Sequence, residues 1–333
     1  MSLVASPTVA SARAGENERV LLCGEGDFSF ALALARLITA RGARVLATSL
    51  ESEDVIAQSW RGADNVAALA ATPGAFTRHG VDAMALTNYF EPGSFDRVVF
   101  NFPHIAGKAR MDRNRALLGA FLREAKIVCA PNGFVEVSLA PGQGGTRADG
   151  ARMREYGNSW QAYSRGAENG MLLVEATPFA DEAWRAEGYQ SRGHWRGRGD
   201  ERGFVTDGGV VHVFCDEDRT RPLGLECDHC VPFARDVSVW AAESAEDADS
   251  ATAVREAFET ATGDADARVT KVERVDEWRE ESTGRLSETF RVEYSSRTLA
   301  LTRERVNGWN DAARLALGSR LRGQLKRAGG DTA

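Results

Sequence analysis

Short apolar runs alternate with helix-like segments over the first two thirds of the chain. The apolar runs predict buried strands at 20–23, 44–50, 79–83, 95–102, 134–139, 171–178 and 209–215. Between them, the residue pattern predicts helices at 31–41, at 53–71 with an interruption near Gly62, up to about 130, and at 158–169. Strands that alternate with helices and end in a strand pair predict a doubly wound α/β sheet.

A second pattern begins after a charged, proline-containing join at 216–222. Its predicted elements are a strand at 235–241, a helix at 251–261, strands at 268–278 and 286–294, a helix at 302–317 and a last strand at 319–325. This βαββαβ order is typical of a smaller, ferredoxin-like α+β domain. We therefore predict a disordered tail at 1–18, a larger domain at 19–222 and a smaller one at 223–333.

The first predicted strand runs into the turn Gly24-Glu25-Gly26-Asp27, and a helix begins soon after it. Glycine lets a ligand approach the backbone, and the N–H groups at a helix start supply donors. Such a turn predicts a site for an adenosine-bearing cofactor, although it lacks the third glycine of the dinucleotide fingerprint. Asp27 and Ser29 both suit the N-cap position. A tight turn without a ligand is the alternative.

Three polar residues follow later strands at the same predicted edge of the sheet. Glu51 ends the second predicted strand, where nucleotide-binding folds hold ribose hydroxyls. Asp82 lies at the end of the third, within reach of an adenine amino group. Asn101 emerges from the fourth, at the edge where open α/β sheets bind ligands. For Glu51, a solvated strand end is the alternative.

Charge limits how the chain can contact nucleic acid. Because the net charge is −7 over 333 residues, no overall positive field attracts RNA, and a contact must be a local patch. Local basic runs supply candidate phosphate contacts, with a solvated face as the alternative reading. These candidates are Lys108, Arg110, Arg113, Arg115, Arg192, Arg196, Arg198, Arg320 and Arg322.

The cysteines and the hydropathy of the chain bear on its cellular compartment, on membrane contact and on metal binding. The five cysteines and the lack of a secretory signal favour a reducing compartment, either the cytoplasm or the nucleolus, with the mitochondrion as the alternative. No apolar run is long enough to span a bilayer, so we expect no membrane partner. Cys227 and Cys230 form a Cys-x-x-Cys pair without a convincing second pair, so we predict no metal site.

Three motifs in the first part of the chain resemble those of the large-subunit rRNA (uridine-N3)-methyltransferases, over about 19–216. They are Gly24-Glu25-Gly26-Asp27-Phe28-Ser29-Phe30, His79-Gly80-Val81-Asp82-Ala83, and Phe95-Asp96 followed by Phe100-Asn101-Phe102-Pro103-His104. The resemblance implies a Rossmann-like class I methyltransferase fold with S-adenosyl-L-methionine as cofactor. It further implies that Gly24, Glu25, Gly26 and Asp27 face the amino-acid end of the cofactor, Glu51 its ribose and Asp82 its adenine, and that Asn101 lies near the transferred methyl group.

The same resemblance implies methylation of uridine N3 in rRNA, with tRNA as an alternative substrate. Asn101 is then expected to hold the base edge, and His104 is the nearest candidate base for the imide proton. An N-cap or a core hydrogen bond is the alternative for His104. A paired base cannot be reached, so the base must be looped or flipped. Phe102 or Trp160 can then stack on it, with a place in the core as the alternative.

The second unit is similar to the ferredoxin-fold anticodon-binding domain at the end of phenylalanyl-tRNA synthetase chains. Arg235-Asp236 and the stretch from Tyr294 to Thr302 carry this similarity. Two function classes therefore stay open. The first is an RNA-binding methyltransferase of rRNA processing and ribosome biogenesis. The second is a non-catalytic assembly factor that uses both domains as docking surfaces in a ribosomal particle. A cofactor-binding measurement separates them.

Overall fold

The computed structural model describes residues 17–58, 61–105, 110–191, 203–219, 224–227, 229–241, 249–263 and 267–320. The chain divides into two compact units, 1–229 and 230–333, and each is described by itself. Several predicted phosphate contacts lie outside the described residues, namely Lys108, Arg192, Arg196, Arg198, Arg322 and the side chain of Arg320. The domain boundary after residue 222 stays a prediction, because 220–223 also lie outside.

A seven-stranded sheet with helices around it forms the first unit. Its strands are β1 (Arg19–Cys23), β2 (Arg44–Thr48), β3 (Ala75–Arg78), β4 (Phe95–Asn101), β5 (Cys129–Leu139), β6 (Met171–Pro178) and β7 (Val210–Asp216). Its α-helices are α1 (Ser29–Ile38), α2 (Glu53–Ala57), α3 (Gly62–Ala70), α4 (Met111–Val128), α5 (Ala162–Ala167) and α6 (Asp181–Ala186). Short 3-10 helices lie at Thr39–Arg41, Ala83–Asn88, Arg147–Arg152 and Tyr156–Asn158.

The strand order in this sheet is β3-β2-β1-β4-β5-β7-β6. The pairs are parallel, except that β7 runs antiparallel to both β5 and β6. Because the chain order reverses between β1 and β4, the carboxyl ends of these two strands flank the crevice where such sheets bind ligands. The predicted doubly wound fold is confirmed.

The prediction of a third strand at 79–83 is wrong. β3 pairs with β2 only over Ala75–Arg78, and Gly80, at a φ of +70°, then turns the chain out of the sheet. The Asp82 carboxylate accepts a hydrogen bond of 2.8 Å from the backbone N–H of Met84 and so caps a 3-10 helix. Val81 and Ala83 are apolar because they are buried at the start of that helix.

Two helices of the first unit differ from their prediction. α5 covers only Ala162–Ala167, because Gln161, at a φ of +57°, lies at its N-cap and a separate 3-10 turn precedes it. α6 has no counterpart in the sequence-based prediction. It is short, and it is held by packing of Trp184 against Phe30, whose ring centroid lies 4.6 Å away. A contact between residues so distant in sequence has no local pattern.

The second unit is an antiparallel sheet covered by two helices. It contains β8 (Phe233–Trp240), α7 (Ser250–Thr262), β9 (Ala267–Arg279), β10 (Leu286–Ser296) and α8 (Arg303–Arg320), with strand order β8-β10-β9. Phe258, Phe290 and Leu317 are among its buried core residues. The predicted βαββα part is confirmed. The last strand cannot begin at 319, since α8 continues through that position, and 321–325 lie outside the described residues.

Within the described ranges, no helix of either unit is both long and apolar enough to cross a bilayer.

Candidate cofactor site and active site

The glycine turn after β1 lies at the open edge of the sheet. Gly24 has a φ of +69°, and a Cβ atom added to it would lie 2.5 Å from the Phe100 ring. Both the left-handed conformation and the close ring therefore require glycine at this position. Gly24 and Gly26 are exposed, so the backbone of the turn is open to a ligand.

Helix α1 begins differently from the prediction, which placed Asp27 or Ser29 at its N-cap. Phe28 holds the N-cap position at a φ of +60° and offers no side-chain cap. The Asp27 carboxylate accepts hydrogen bonds from the backbone N–H and the hydroxyl of Ser29, at 3.0 and 2.7 Å. The free N–H of Ala31 donates instead to the Glu25 carboxylate, at 3.1 Å. Glu25 thus caps the helix from within the glycine turn.

Glu25 is buried, unlike the two glycines beside it. Its backbone N–H donates to the Thr48 carbonyl at 2.8 Å, which joins the turn to the end of β2. Burial raises the pKa of the Glu25 carboxyl to about 8, the Ala31 N–H opposes this, and the nearby Asp27 charge adds to it. The carboxyl therefore fixes the turn to α1. Direct contact of Glu25 with the cofactor stays a prediction.

Glu51 and Asp82, the acids predicted to bind the ribose and the adenine, lie at the same edge of the sheet because backbone hydrogen bonds join their two turns. The N–H of Gly80 donates to the Glu51 carbonyl at 3.2 Å, and the N–H of Val81 donates to the Ser49 carbonyl at 2.9 Å. The side chain of Glu51 is exposed. One carboxylate oxygen of Asp82 accepts the hydrogen bond that caps the 3-10 helix. Their roles toward the cofactor stay predictions.

Two residues that the sequence analysis passed over support the same turn. The Ser49 hydroxyl donates to the Glu51 carbonyl at 2.9 Å, and His79 Nδ1 lies 2.8 Å from that hydroxyl. Since the hydroxyl proton is used on Glu51, Nδ1 carries the proton of the imidazole. His79 Nε2 is then a buried acceptor that has no partner among the described residues. The signal in the sequence was the place of His79 in a recognised motif.

Apolar side chains are exposed beside these acids. Leu50 is 60% exposed and Met84 is 37% exposed, and each is adjacent in sequence to a residue of the turns after β2 and β3. Large apolar side chains that remain in water at a ligand-binding edge suit a flat aromatic group such as adenine. Their sequence signal is their position within two residues of the acids Glu51 and Asp82.

Across the crevice, Asn101 and Ser138 are paired at the ends of β4 and β5. The Ser138 hydroxyl donates to Asn101 Oδ1 at 2.6 Å. The amide nitrogen, Asn101 Nδ2, is buried and has no partner among the described residues. The chain then turns sharply at Phe102, whose φ is +49°, and leaves His104 exposed. The site thus presents an unused amide donor, and an exposed imidazole follows it three residues later in the chain.

The two aromatic residues predicted to stack on a base are placed differently. Trp160 is buried in the core, so the prediction that it stacks on a base is wrong. Phe102 packs edge-on against Phe179, with ring centroids 4.9 Å apart, and also contacts Phe204 at 5.2 Å. Packing of these rings holds Phe102 at the site without needing a ligand.

Three predicted phosphate contacts lie at the start of α4. Arg110 pairs with Asp112 at 2.8 Å, and Arg113 is exposed. The Arg115 guanidinium donates to the carbonyls of Gly157 and Ser159, at 2.7 and 2.8 Å, so much of its donor capacity holds that loop. Contact of these residues with RNA stays a prediction.

The loop that follows β5 is fixed by buried polar groups. Asp149 accepts hydrogen bonds of 3.1 Å from the N–H groups of Gly142 and Thr146. His212 on β7 lies beneath this loop, 3.5 Å from the Thr146 hydroxyl, and burial lowers its pKa to about 4. Within the described parts of the chain, no group of three or more His, Cys, Asp or Glu side chains is arranged to hold a metal ion.

The fold and the site together define the class of domain to which the first unit belongs. A sheet of this order, with a glycine turn at its switch point, acids after β2 and β3 and a polar residue after β4, is a Rossmann-like domain built for a nucleoside-bearing ligand. The sequence profile of the BMT5-like family, described as rRNA (uridine-N3-)-methyltransferase BTM5-like, matches residues 21–193. The chain belongs to this family. The predicted membership of a methyltransferase family and the predicted cofactor, S-adenosylmethionine, are thereby confirmed.

Two relatives of this chain are named after the ferredoxin-fold anticodon-binding domain, which the second unit resembles. Ferredoxin-fold anticodon-binding domain-containing protein 1 of Homo sapiens is 36% identical over 210 residues, which are 62% of this chain and 32% of the relative. Its Mus musculus homolog is 36% identical over 59% of this chain and 30% of its own length. The chain thus spans about a third of these relatives.

Solved structures also resemble this chain. TrmN from Thermus thermophilus is 20% identical, with a TM-score of 0.36, over 60% of this chain and 44% of its own. The 16S rRNA methyltransferase KamB is 16% identical, with a TM-score of 0.38, over 61% of this chain and 90% of its own.

Proposed function

We propose that this chain transfers a methyl group from S-adenosylmethionine to N3 of a uridine in rRNA. The observation that carries the proposal is the buried, unused Nδ2 donor of Asn101, at the switch point where the glycine turn is open to a ligand. Membership of the BMT5-like family supports the choice of reaction and of RNA.

The residues at the sheet edge fit the cofactor. The exposed turn at Gly24 and Gly26 lets its amino-acid end approach the backbone, and the Phe100 ring excludes any side chain from position 24. Exposed Glu51 is placed to accept from ribose hydroxyls. Leu50 and Met84 offer apolar surface to the adenine ring, and Asp82 can accept from its amino group. When bound, S-adenosylmethionine supplies an electrophilic methyl group on a sulfonium leaving group.

Because the methyl donor is already activated, the task of this chain is mainly alignment of the base and exclusion of water. Uridine adds one demand, since the N3 imide proton must leave before or during the reaction. Asn101 can donate to a carbonyl oxygen of the base, where negative charge develops as that proton leaves. We propose that the imidazole of His104, which is exposed, receives the proton.

The substrate and its setting are part of the same proposal. The target uridine is unpaired or flipped, since a paired base cannot enter the site. Exposed Arg113, and Arg110 once released from Asp112, are placed to contact phosphates. We propose that the second unit binds the same RNA or its ribosomal assembly particle, and that the protein acts in the cytoplasm or nucleolus, or in the mitochondrion if the rRNA is mitochondrial.

The test is mass spectrometry of nucleosides from rRNA of cells with and without the protein. Loss of 3-methyluridine on deletion, restored by the wild type and by the remote variant Arg19→Ala but not by Asn101→Ala, is the expected result. If no methylated uridine disappears, the assigned reaction is wrong. Absence of any calorimetric binding of S-adenosylmethionine to the wild type would instead favour the non-catalytic assembly factor.

A further inference from the structure

The two ends of the Asn101 amide are not equivalent in this site. Its oxygen is occupied by the Ser138 hydroxyl at 2.6 Å, whereas its nitrogen is buried without a partner among the described residues. A hydroxyl that donates to the oxygen identifies the nitrogen as the end of the amide that has no partner among the described residues. The unused group of Asn101 is therefore its donor, and one of the two lone pairs of its oxygen is already taken.

The position of the Ser138 hydroxyl is set by the sheet. Ser138 is the register partner of Asn101 and is 1% exposed. The N–H of Phe102 also donates to the Ser138 carbonyl at 2.8 Å, so the backbone that follows Asn101 is joined to the same residue. In the described structure, the Asn101 oxygen is the acceptor that this hydroxyl uses. Two paired strand ends thus determine the orientation of the amide.

An amide whose unused group is its donor distinguishes between bases. Uracil has carbonyl oxygens on both sides of N3, and when N3 loses its proton the negative charge spreads onto them. An N–H donor directed at one of these oxygens stabilises that anion. Cytosine shares the C2 carbonyl oxygen with uracil but carries an amino group in place of O4, and adenine carries an amino group at the corresponding position; these amino groups are donors themselves. A donor that faces an amino group has no partner, and an unpartnered buried donor is costly.

We propose that Ser138 is a positioning residue that leaves the Asn101 nitrogen as the donor of this site, so that the site selects a base with a carbonyl oxygen at the position of uracil O4, where cytosine and adenine carry an amino group. This inference rests on the proposed function. In the step it assists, the N3 proton passes to water or to His104, and the N3 electron pair forms the bond to the methyl carbon. The electron pair of the breaking carbon–sulfur bond stays on sulfur.

The first test compares Ser138→Ala with the hydroxyl-retaining Ser138→Thr. The substrate is total RNA from cells that lack the protein, and the methyl group is tritiated. Ser138→Ala should lower kcat by roughly 10- to 100-fold, which is the effect expected for a weakened oxyanion-type donor. The loss should shrink as pH rises, because the imide then ionises without help. Ser138→Thr should retain most of the rate, and thermal unfolding shows whether each variant is folded.

A second test needs no chemistry. The protein without cofactor is titrated with oligouridine and with oligocytidine of equal length, which differ at the base edge and share the same phosphates. The wild type should bind oligouridine more tightly, and Ser138→Ala should lose this preference. Asn101→Asp has the same shape but, when ionised, only accepts hydrogen bonds, so it should reverse the preference.

The outcomes separate this inference from the proposed function. Methylation of an amino nitrogen of cytidine or adenosine by the wild type overturns the donor assignment while the methyltransferase activity stands. A folded Ser138→Ala with wild-type rate, pH profile and oligonucleotide preference also overturns it. If the wild type methylates nothing but keeps the preference for oligouridine, the proposed reaction fails and the donor assignment stands.

Discussion

The amino and carboxyl ends of the parallel strands in the first unit differ in whether their buried polar groups have hydrogen-bond partners. At the amino end, buried Arg97 is bound by the Glu18 carboxylate at 2.5 and 3.0 Å, and Glu136 lies 3.8 Å away. At the carboxyl end, Asn101 Nδ2 and His79 Nε2 are buried without partners among the described residues. One end satisfies its polar groups within the protein, and the other keeps donors and acceptors unused. Unsatisfied buried groups reduce stability, and the place of these two at the carboxyl end suits an edge that binds a ligand.

The amino end also corrects a sequence-based expectation. Glu18 was expected in a disordered tail at 1–18, yet its carboxylate forms a buried ion pair with Arg97, and its carbonyl accepts from the N–H of Arg44 at 2.7 Å. Burial lowers the pKa of Arg97, and Glu136 and Glu18 together raise it by more. This network depends on all its members, because each one is buried against the others.

Replacing Arg97 with methionine should have the largest effect on stability. The change leaves Glu18 and Glu136 without their cation in a site where the Arg97 side chain is only 4% exposed. Breaking such a buried network costs about 3–5 kcal/mol. Urea unfolding measures this loss, and turnover per folded molecule should not change. A loss as small as that of an exposed ion pair would show that the amino end is not a stabilising network.

Replacing Asn101 with alanine should lower turnover and leave stability nearly unchanged, the reverse of the effect expected for Arg97. Turnover should fall roughly 10²- to 10³-fold, equivalent to about 2.7–4 kcal/mol, because a donor to developing charge is lost. The affinity for S-adenosylmethionine and the free energy of unfolding should change little. Steady-state kinetics and urea unfolding of the same preparation test both parts. Full turnover in this variant would contradict the assignment of the active site to the carboxyl end.

The buried Glu25 carboxyl, at the carboxyl end of the sheet, should make the stability of the protein depend on pH. Its carboxyl has a pKa near 4.5 in the unfolded chain and about 8 in the buried turn, close to Asp27 and Tyr189. Between these values the unfolded chain releases the proton that the folded protein keeps. Stability present at low pH is therefore lost as pH rises through this range, by about 1.4 kcal/mol per unit.

Glu25→Gln should remove this pH dependence, since the amide does not titrate. Urea unfolding at several pH values between about 5 and 8 measures the two slopes. The difference between wild type and variant should grow in favour of the variant as pH rises. Parallel curves for the two proteins would contradict the burial of an ionisable carboxyl under the glycine turn.

The smallest effect is expected for Arg19→Ala, at the surface of the amino end. Arg19 binds Asp96 with both Nε and Nη2, at 3.0 and 2.8 Å, and lowers the pKa of that carboxyl. The side chains are 44% and 37% exposed, so the pair should contribute no more than about 1 kcal/mol. This contribution should be lost as pH falls through the lowered pKa, and salt should weaken it. Urea unfolding at low and high salt tests both statements.

Much of the fold was readable from sequence because its signals are local. The predicted strands at 20–23 and 171–178 lie close to the observed bounds, because buried apolar runs such as 20–23 and 171–173 mark them. The strand at 79–83 was misplaced for the opposite reason. Its apolar residues are buried against a 3-10 helix, and a short pattern does not show what buries it. Helix α6 was missed because aromatic contacts distant in sequence hold it.

The order of motifs in the sequence determined the doubly wound fold, the open glycine turn, and the strand ends at which Glu51 and Asn101 lie. Such features depend on residue type and chain order, which a sequence contains directly. The tertiary structure alone decided that Glu25 lies beneath the turn, that Arg115 holds a loop, and that Ser138 uses the oxygen of Asn101. Each of these depends on which groups from distant segments meet in one place, and a hydrogen bond forms only where donor and acceptor are brought within about 3 Å.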